Sequence, residues 1–138
     1  VGGGQIGDDE ELLRFLNPLG NHVVMEPDGI WRITSAAFRD PKALKDPRAG
    51  ISVFLESGSN LQRLESFFRG ERNHGLARLR TKTVRAHGFL LVIDPSDEFP
   101  DDFHVLIRPA PTWSRGEYNV GAAALAAHAT IDYLPIVE

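Results

Sequence analysis

Phe89-Leu90-Leu91-Val92-Ile93 is the longest strongly apolar run in the chain, bounded by Gly88 on one side and Asp94-Pro95 on the other. A membrane-spanning helix needs roughly 20 such residues, so the run is not a span. It lacks the alternation of a strand with one wet face. It therefore reads as a buried strand, covered on both faces and central in a sheet.

The elements on either side follow from this strand. Asp94 to Asp101 is an acidic loop, and Phe103 to Ile107 is a further strand broken by Arg108-Pro109. A long loop, 108–118, leads to an Ala-rich helix capped by Asn119 and running to about Asp132. On the N-terminal side, Thr81 caps a short helical turn through His87 that Gly88 closes, after a strand Leu76–Leu79. Ser59 or Asn60 caps a helix to about Arg69, in which Leu61, Leu64, Phe67 and Phe68 recur at helical spacing. Ile51–Leu55 is a strand, and Asp40–Gly50, with its two prolines, is a surface loop. His22–Met25 and Ile30–Thr34 flank the turn Glu26-Pro27-Asp28-Gly29 as a hairpin. Asp8 or Asp9 caps a helix through Leu16, with Leu12, Leu13, Phe15 and Leu16 as its apolar face, stopped by Asn17-Pro18-Leu19-Gly20.

Residues 1–7 are then a flexible, glycine-rich lead-in, and 8–138 a single α+β domain: a mixed β-sheet with helices packed mainly on one face. The 138 residues, 42% hydrophobic and 25% charged, suffice for a core without staples. There is no cysteine, which removes disulfides, thiolate metal sites and cysteine nucleophiles. With no basic-then-apolar opening, this points to a soluble, cytoplasmic protein with no membrane partner.

The net charge of −4 is unevenly spread. Between Asn60 and Leu90 seven Lys/Arg residues stand against two glutamates, a local +5, while acid collects at 8–11 and 94–102. Arg78, Arg80 and Lys82 alternate, so a strand would align them as a stripe for an anionic ligand. The alternative is that the acidic and basic segments face one another or simply solvate the fold. Trp113 and Tyr118 sit in the long loop, either as exposed binding anchors or folded down as a lid on the core.

No phosphate-binding loop, dinucleotide fingerprint, nucleophile elbow or zinc-binding His-Glu-x-x-His occurs, and no histidine pair has tight metal spacing. The expectation is no cofactor and no metal. The candidate catalytic residues are Arg32, Ser35, Arg85 and His104: the arginines would grip phosphate, and His104 would act as acid or base.

Several short motifs resemble a loose group of small uncharacterised bacterial proteins. They are Arg32-x-x-Ser35-x-Ala37-Phe38, Ile51-Ser52-Val53, Gly75-Leu76-Ala77, Val84-Arg85-x-x-Gly88, Asp94-Pro95 and the acid-preceded His104. The group has no established activity, so the resemblance implies a bacterial, intracellular source and no function. A fainter likeness, carried by Trp31-Arg32-Ile33, is to NAD-consuming toxins related to ADP-ribosyltransferases. It lacks their glutamate on a late strand, since Glu117 falls in a loop on this reading. His104 and His128 superficially resemble the paired histidines of two-histidine phosphoesterases, but only His128 is followed by the expected Thr, Thr130.

The function expected is a protein-binding or regulatory module that acts through contacts and not catalysis, with a protein partner. The alternative is a small enzyme or toxin acting on a phosphate-containing substrate, RNA or NAD.

Overall fold

The computed structural model describes residues 6–17, 21–99 and 102–134. The expected lead-in lies mostly outside them, as do Pro18 to Gly20. Six strands form the main sheet: β1 (Glu11–Leu16), β4 (Ile51–Leu55), β5 (Gly75–Arg80), β6 (Leu90–Ile93), β7 (His104–Arg108) and β8 (Thr130–Tyr133). The remaining strands, β2 (Val23–Met25) and β3 (Trp31–Ile33), form the expected hairpin as a separate two-stranded sheet. The main order is β6-β7-β4-β1-β5-β8, and every ladder is antiparallel. The α+β single domain expected from the sequence is what the chain forms.

Among the described residues three α-helices complete it: α1 (Leu61–Glu65), extended by a π-helical turn Ser66–Glu71, α2 (Thr81–Ala86) and α3 (Arg115–His128). Asn60 caps α1 by accepting from the Arg63 N–H. The larger core lies where α2, α3 and the short 3-10 turn Ser35–Phe38 cover the sheet, around Leu12, Phe38, Val53, Leu79, Val84, Ile107, Tyr118 and Leu125. The opposite face carries a smaller cluster of Leu13, Phe15, Phe54, Leu64 and Leu76, against which Phe68 and Phe99 pack.

Residues 11–16 form a strand and not the helix expected there. β1 is interior, between β4 and β5, and both its faces are buried. Leu12 and Leu16 enter one core, Leu13 and Phe15 the other. A strand covered on both faces has no period-two signal, and its leucines fall by chance at helical spacing.

The decisive apolar run also corrects the reading. β6 is the first strand of the sheet, paired among the described residues only with β7, and it is an edge strand rather than the centre. Leu90 and Val92 stay 42% and 41% exposed. The centre belongs to β1 and β4, whose sequences are broken by Arg14 and Ser52. The last helix begins earlier than expected. Ser114 caps it with a capping box to Glu117, it ends at His128, and residues 130–133 are β8.

Candidate functional site

The four candidate catalytic residues do not form one site. Arg32 lies on the hairpin, 3.8 Å from Glu26 and 3.7 Å from Asp28. Ser35 opens a 3-10 turn. Arg85, at the end of α2, bonds Asp8 at 2.7 Å. His104 faces Ser52 instead. Glu117 is on α3 and not in a loop, while the histidine of α3, His128, packs beside His87.

The basic residues do not align as a stripe either. Arg78 and Arg80 are on β5, but Lys82 is on α2. Arg78 is held between Glu56 and Asp132, Arg80 lies 3.8 Å from Glu11, and Arg63 pairs with the buried Asp102. The acidic and basic segments thus face each other, the alternative that the sequence left open.

Of the two aromatic anchors, Tyr118 is 1% exposed and part of the core. Trp113 is half-buried, edge-on to Phe89 at 4.9 Å and packed on Gly88 and Gly121. Tyr118 is thus a core residue, and Trp113 packs over the core as a lid. Its outer side borders a shallow, largely apolar groove of about 630 Å³ shared with His87, Val120, Gly121 and Ala124.

Beside that groove starts the free edge. The Asp94 N–H donates to the His104 carbonyl at 3.0 Å, which places residues 90, 92 and 94 in the hydrogen-bonded pairs with β7. The N–H and C=O of Leu91 and Ile93 therefore point outward. No charge, proline or bulge interrupts residues 90–93. The other edge, β8, carries Asp132 bound to Arg78.

A second site lies where the central ladder stops. β1 and β4 pair only at Leu12–Leu55 and Leu13–Phe54. Beyond that break the Arg14 guanidinium bridges the strands, donating to the Ala37 carbonyl at 2.8 Å and the Ser52 carbonyl at 3.2 Å. A pocket of about 190 Å³ opens there, lined by Arg14, Asn17, His22, Ser52, His74 and the rings of Phe15, Phe54 and Phe68. Ser52 is exposed, and its hydroxyl lies 2.8 Å from His104 Nε2. The register pairs Ser52 with Leu106 and Phe54 with His104, so serine and histidine meet diagonally on one face. His104 Nδ1 in turn faces the Asp94 carbonyl at 2.7 Å and its carboxylate at 3.3 Å.

Burial lowers the Arg14 pKa to about 10, which leaves it cationic at neutral pH. Burial, then the Arg14 charge, holds His22 down to about 4, and its Nδ1 accepts from the Asn17 N–H at 2.9 Å. His74 is lowered by burial and by the charges of Arg72 and Arg14, and its buried Nδ1 has no partner among the described residues. The pocket thus holds one permanent cation and two neutral imidazoles.

This predicts acid sensitivity. The unfolded His22 imidazole takes up its proton around pH 6.5, while the folded one stays neutral to about 4. Stability is full above that window and falls as the pH drops through it, by at most about 1.4 kcal/mol per pH unit, less for a partly exposed ring. His22→Gln keeps an acceptor for Asn17 and should flatten the urea midpoint between pH 7 and 5, leaving the smaller share of His74. An equal fall in both proteins would place the acid sensitivity elsewhere.

Sequence reasoning found His104 but missed Arg14, His22, Ser52 and His74. The available signal was a lone polar residue inside an apolar strand, Arg14 in Leu-Leu-Arg-Phe-Leu and Ser52 in Ile-Ser-Val-Phe-Leu. Among the described residues no group of three His, Asp or Glu side chains is placed to hold a metal, and no helix is long and apolar enough to cross a membrane. No family model matches the chain, and neither the curated proteins nor the solved structures contain a match.

Proposed function

We propose that the protein is a small protein-binding module that receives an extended apolar segment of its partner as an added strand along β6. One observation carries this reading: the free edge of the sheet is its most apolar exposed strand, with the backbone groups of Leu91 and Ile93 directed outward. Unprotected edges of this kind template strand pairing, and natural proteins blunt them with charge, proline or bulges when they are not used. Strand addition draws affinity from main-chain hydrogen bonds and selects alternate side chains by their pockets. The groove beside Trp113, with Val120 72% exposed on its rim, gives such a partner an apolar surface at the start of the strand. The resemblance to small bacterial proteins supports a bacterial, cytoplasmic setting for it.

A lysine-flanked peptide of residues 88–94, the edge's own complement, is the probe. Fluorescence anisotropy should show saturable binding, and hydrogen exchange should show new protection at the Leu91 and Ile93 amides. Ile93→Pro removes an outward donor while leaving the ladder to β7 intact, and should abolish binding. Ile93→Val should bind normally. Absence of saturable binding, or equal binding by the proline variant, overturns the reading. A concentration-dependent dimer of the free protein that Ile93→Pro dissolves would replace the foreign partner by a second copy.

A further inference from the structure

We propose that Ser52 is a nucleophile, with His104 as its base and Asp94 as the group that positions the histidine, and that the site takes small esters whose acyl group carries an anion. The relay is a matter of geometry. His104 Nδ1 faces two acceptors, the Asp94 carbonyl at 2.7 Å and its carboxylate at 3.3 Å, and no donor. The ring proton of the neutral imidazole therefore sits on Nδ1. Nε2 is then an acceptor, and at 2.8 Å it receives the hydroxyl proton of Ser52. The same logic of nucleophile, base and orienting group recurs on unrelated folds and is recognised by roles and distances rather than by chain order. Here all three residues come from the β4–β7 ladder and the end of β6, a rigid support.

The burial pattern suits the roles. Ser52 is exposed on the pocket, while His104 is nearly buried beneath it with its ring against Phe54. The substrate class follows from the pocket. Arg14 puts a fixed positive charge at the gap between the strands, its hydrogen bonds made to the Ala37 and Ser52 carbonyl oxygens, with the Asp40 carboxylate charge acting on it but no carboxylate among the described residues bonded to it. The aromatic rings of Phe15, Phe54 and Phe68 supply an apolar wall, and a volume of about 190 Å³ admits only a small acyl group. His74 also lines the pocket, its buried Nδ1 without a partner among the described residues.

In the reaction, Ser52 Oγ attacks the ester carbonyl carbon and its proton passes to His104 Nε2. The C–O bond to the alcohol then breaks, and the alcohol leaves with that proton. A water molecule, deprotonated by Nε2, attacks the acyl-serine. The Oγ–C bond breaks, the serine recovers its proton, and a carboxylic acid is released.

The test uses the native protein and diisopropyl fluorophosphate, whose P–F bond breaks as Ser52 Oγ bonds to phosphorus, with fluoride leaving and the proton passing through His104. Peptide mapping should find the adduct on Ser52. Ser57, an exposed serine bonded to the Glu10 carboxylate at 3.0 Å and without a histidine, is the internal reference. Ser52 should label at least about 100-fold faster than Ser57, and His104→Gln should remove that advantage. Asp94→Asn should slow labelling less, about 10-fold or under, because the backbone carbonyl still fixes the tautomer. Circular dichroism checks that these variants fold, and the comparison with Ser57 needs no variant. Ser52→Ala should lose hydrolysis of 4-nitrophenyl hydrogen succinate, which wild type should prefer over 4-nitrophenyl acetate by about 10-fold or more in kcat/KM. Equal labelling of Ser52 and Ser57 overturns the nucleophile. Labelling of Ser52 with equal rates on the two esters overturns the anionic substrate class. Neither outcome depends on peptide binding at β6, so this site and the proposed docking edge stand or fall separately.

Discussion

Leu12→Ala should lower the free energy of unfolding by about 2–5 kcal/mol, the range for deleting a buried leucine into a cavity that closes only partly. Leu12 is fully buried at the middle of the sheet. It stands opposite Leu55 of β4 on one side and Leu79 of β5 on the other. All three enter the same core, so no mobile neighbour is available to fill the space. A loss of that size is a large part of the roughly 5–15 kcal/mol that holds a domain together. Leu91→Ala should cost only about 1 kcal/mol, since its side chain is half-buried on an edge strand. Urea denaturation of the two variants side by side measures the difference. Equal losses would mean that β6 is as interior as β1 and would leave no free edge for an added strand.

That contrast also explains what could be read from the sequence. The hairpin, Ile51–Leu55, the Asn60 cap and Gly88 were legible because each carries a local signal: a turn, a capping side chain, or a positive φ, here +88° at Gly88. Sheet position carries no such signal. Arg14 and Ser52 interrupt the two central strands because the ladder between them ends at Leu13 and the polar groups find partners in the gap. The five apolar residues at 89–93 run uninterrupted into β6, a strand that pairs on one side only among the described residues. Unbroken hydrophobicity thus marks the periphery here, and broken hydrophobicity the centre. The candidate site was hidden for the same reason. Ser52 and His104 are distant in sequence, and only the β4–β7 register brings them together. His104 was recognisable as a residue of interest, but its partner depended on a pairing that no local pattern specifies.

Tyr118→Ala should be as damaging as any substitution in the core, about 3–5 kcal/mol, and Tyr118→Phe about 1–3 kcal/mol. The residue sits in the first turn of α3, where a binding anchor in a loop was one expectation. The local pattern Ser114-Arg115-Gly116-Glu117 contains the signature of a capping box, obscured by the glycine at its third position. The Ser114 hydroxyl accepts from the Glu117 N–H at 3.2 Å, and the Glu117 carboxylate accepts from the Ser114 N–H at 3.1 Å. That box starts the helix one residue after Ser114 and turns Tyr118 inward, 1% exposed and edge-on to Phe89 at 6.2 Å. Its hydroxyl accepts from the Asp40 N–H at 2.9 Å and so ties α3 to the start of the 3-10 turn Pro41–Leu44. Burial pushes the phenol pKa up, so it stays neutral through the physiological range. Truncation to alanine removes the ring from the core and leaves the Asp40 N–H without its partner. Phenylalanine keeps the packing and loses only the bond, so the difference between the two variants isolates the ring. Thermal and chemical denaturation of both should rank them alanine, then phenylalanine, below wild type. A Tyr118→Ala protein as stable as wild type would put the ring outside the core, as an exposed anchor on α3.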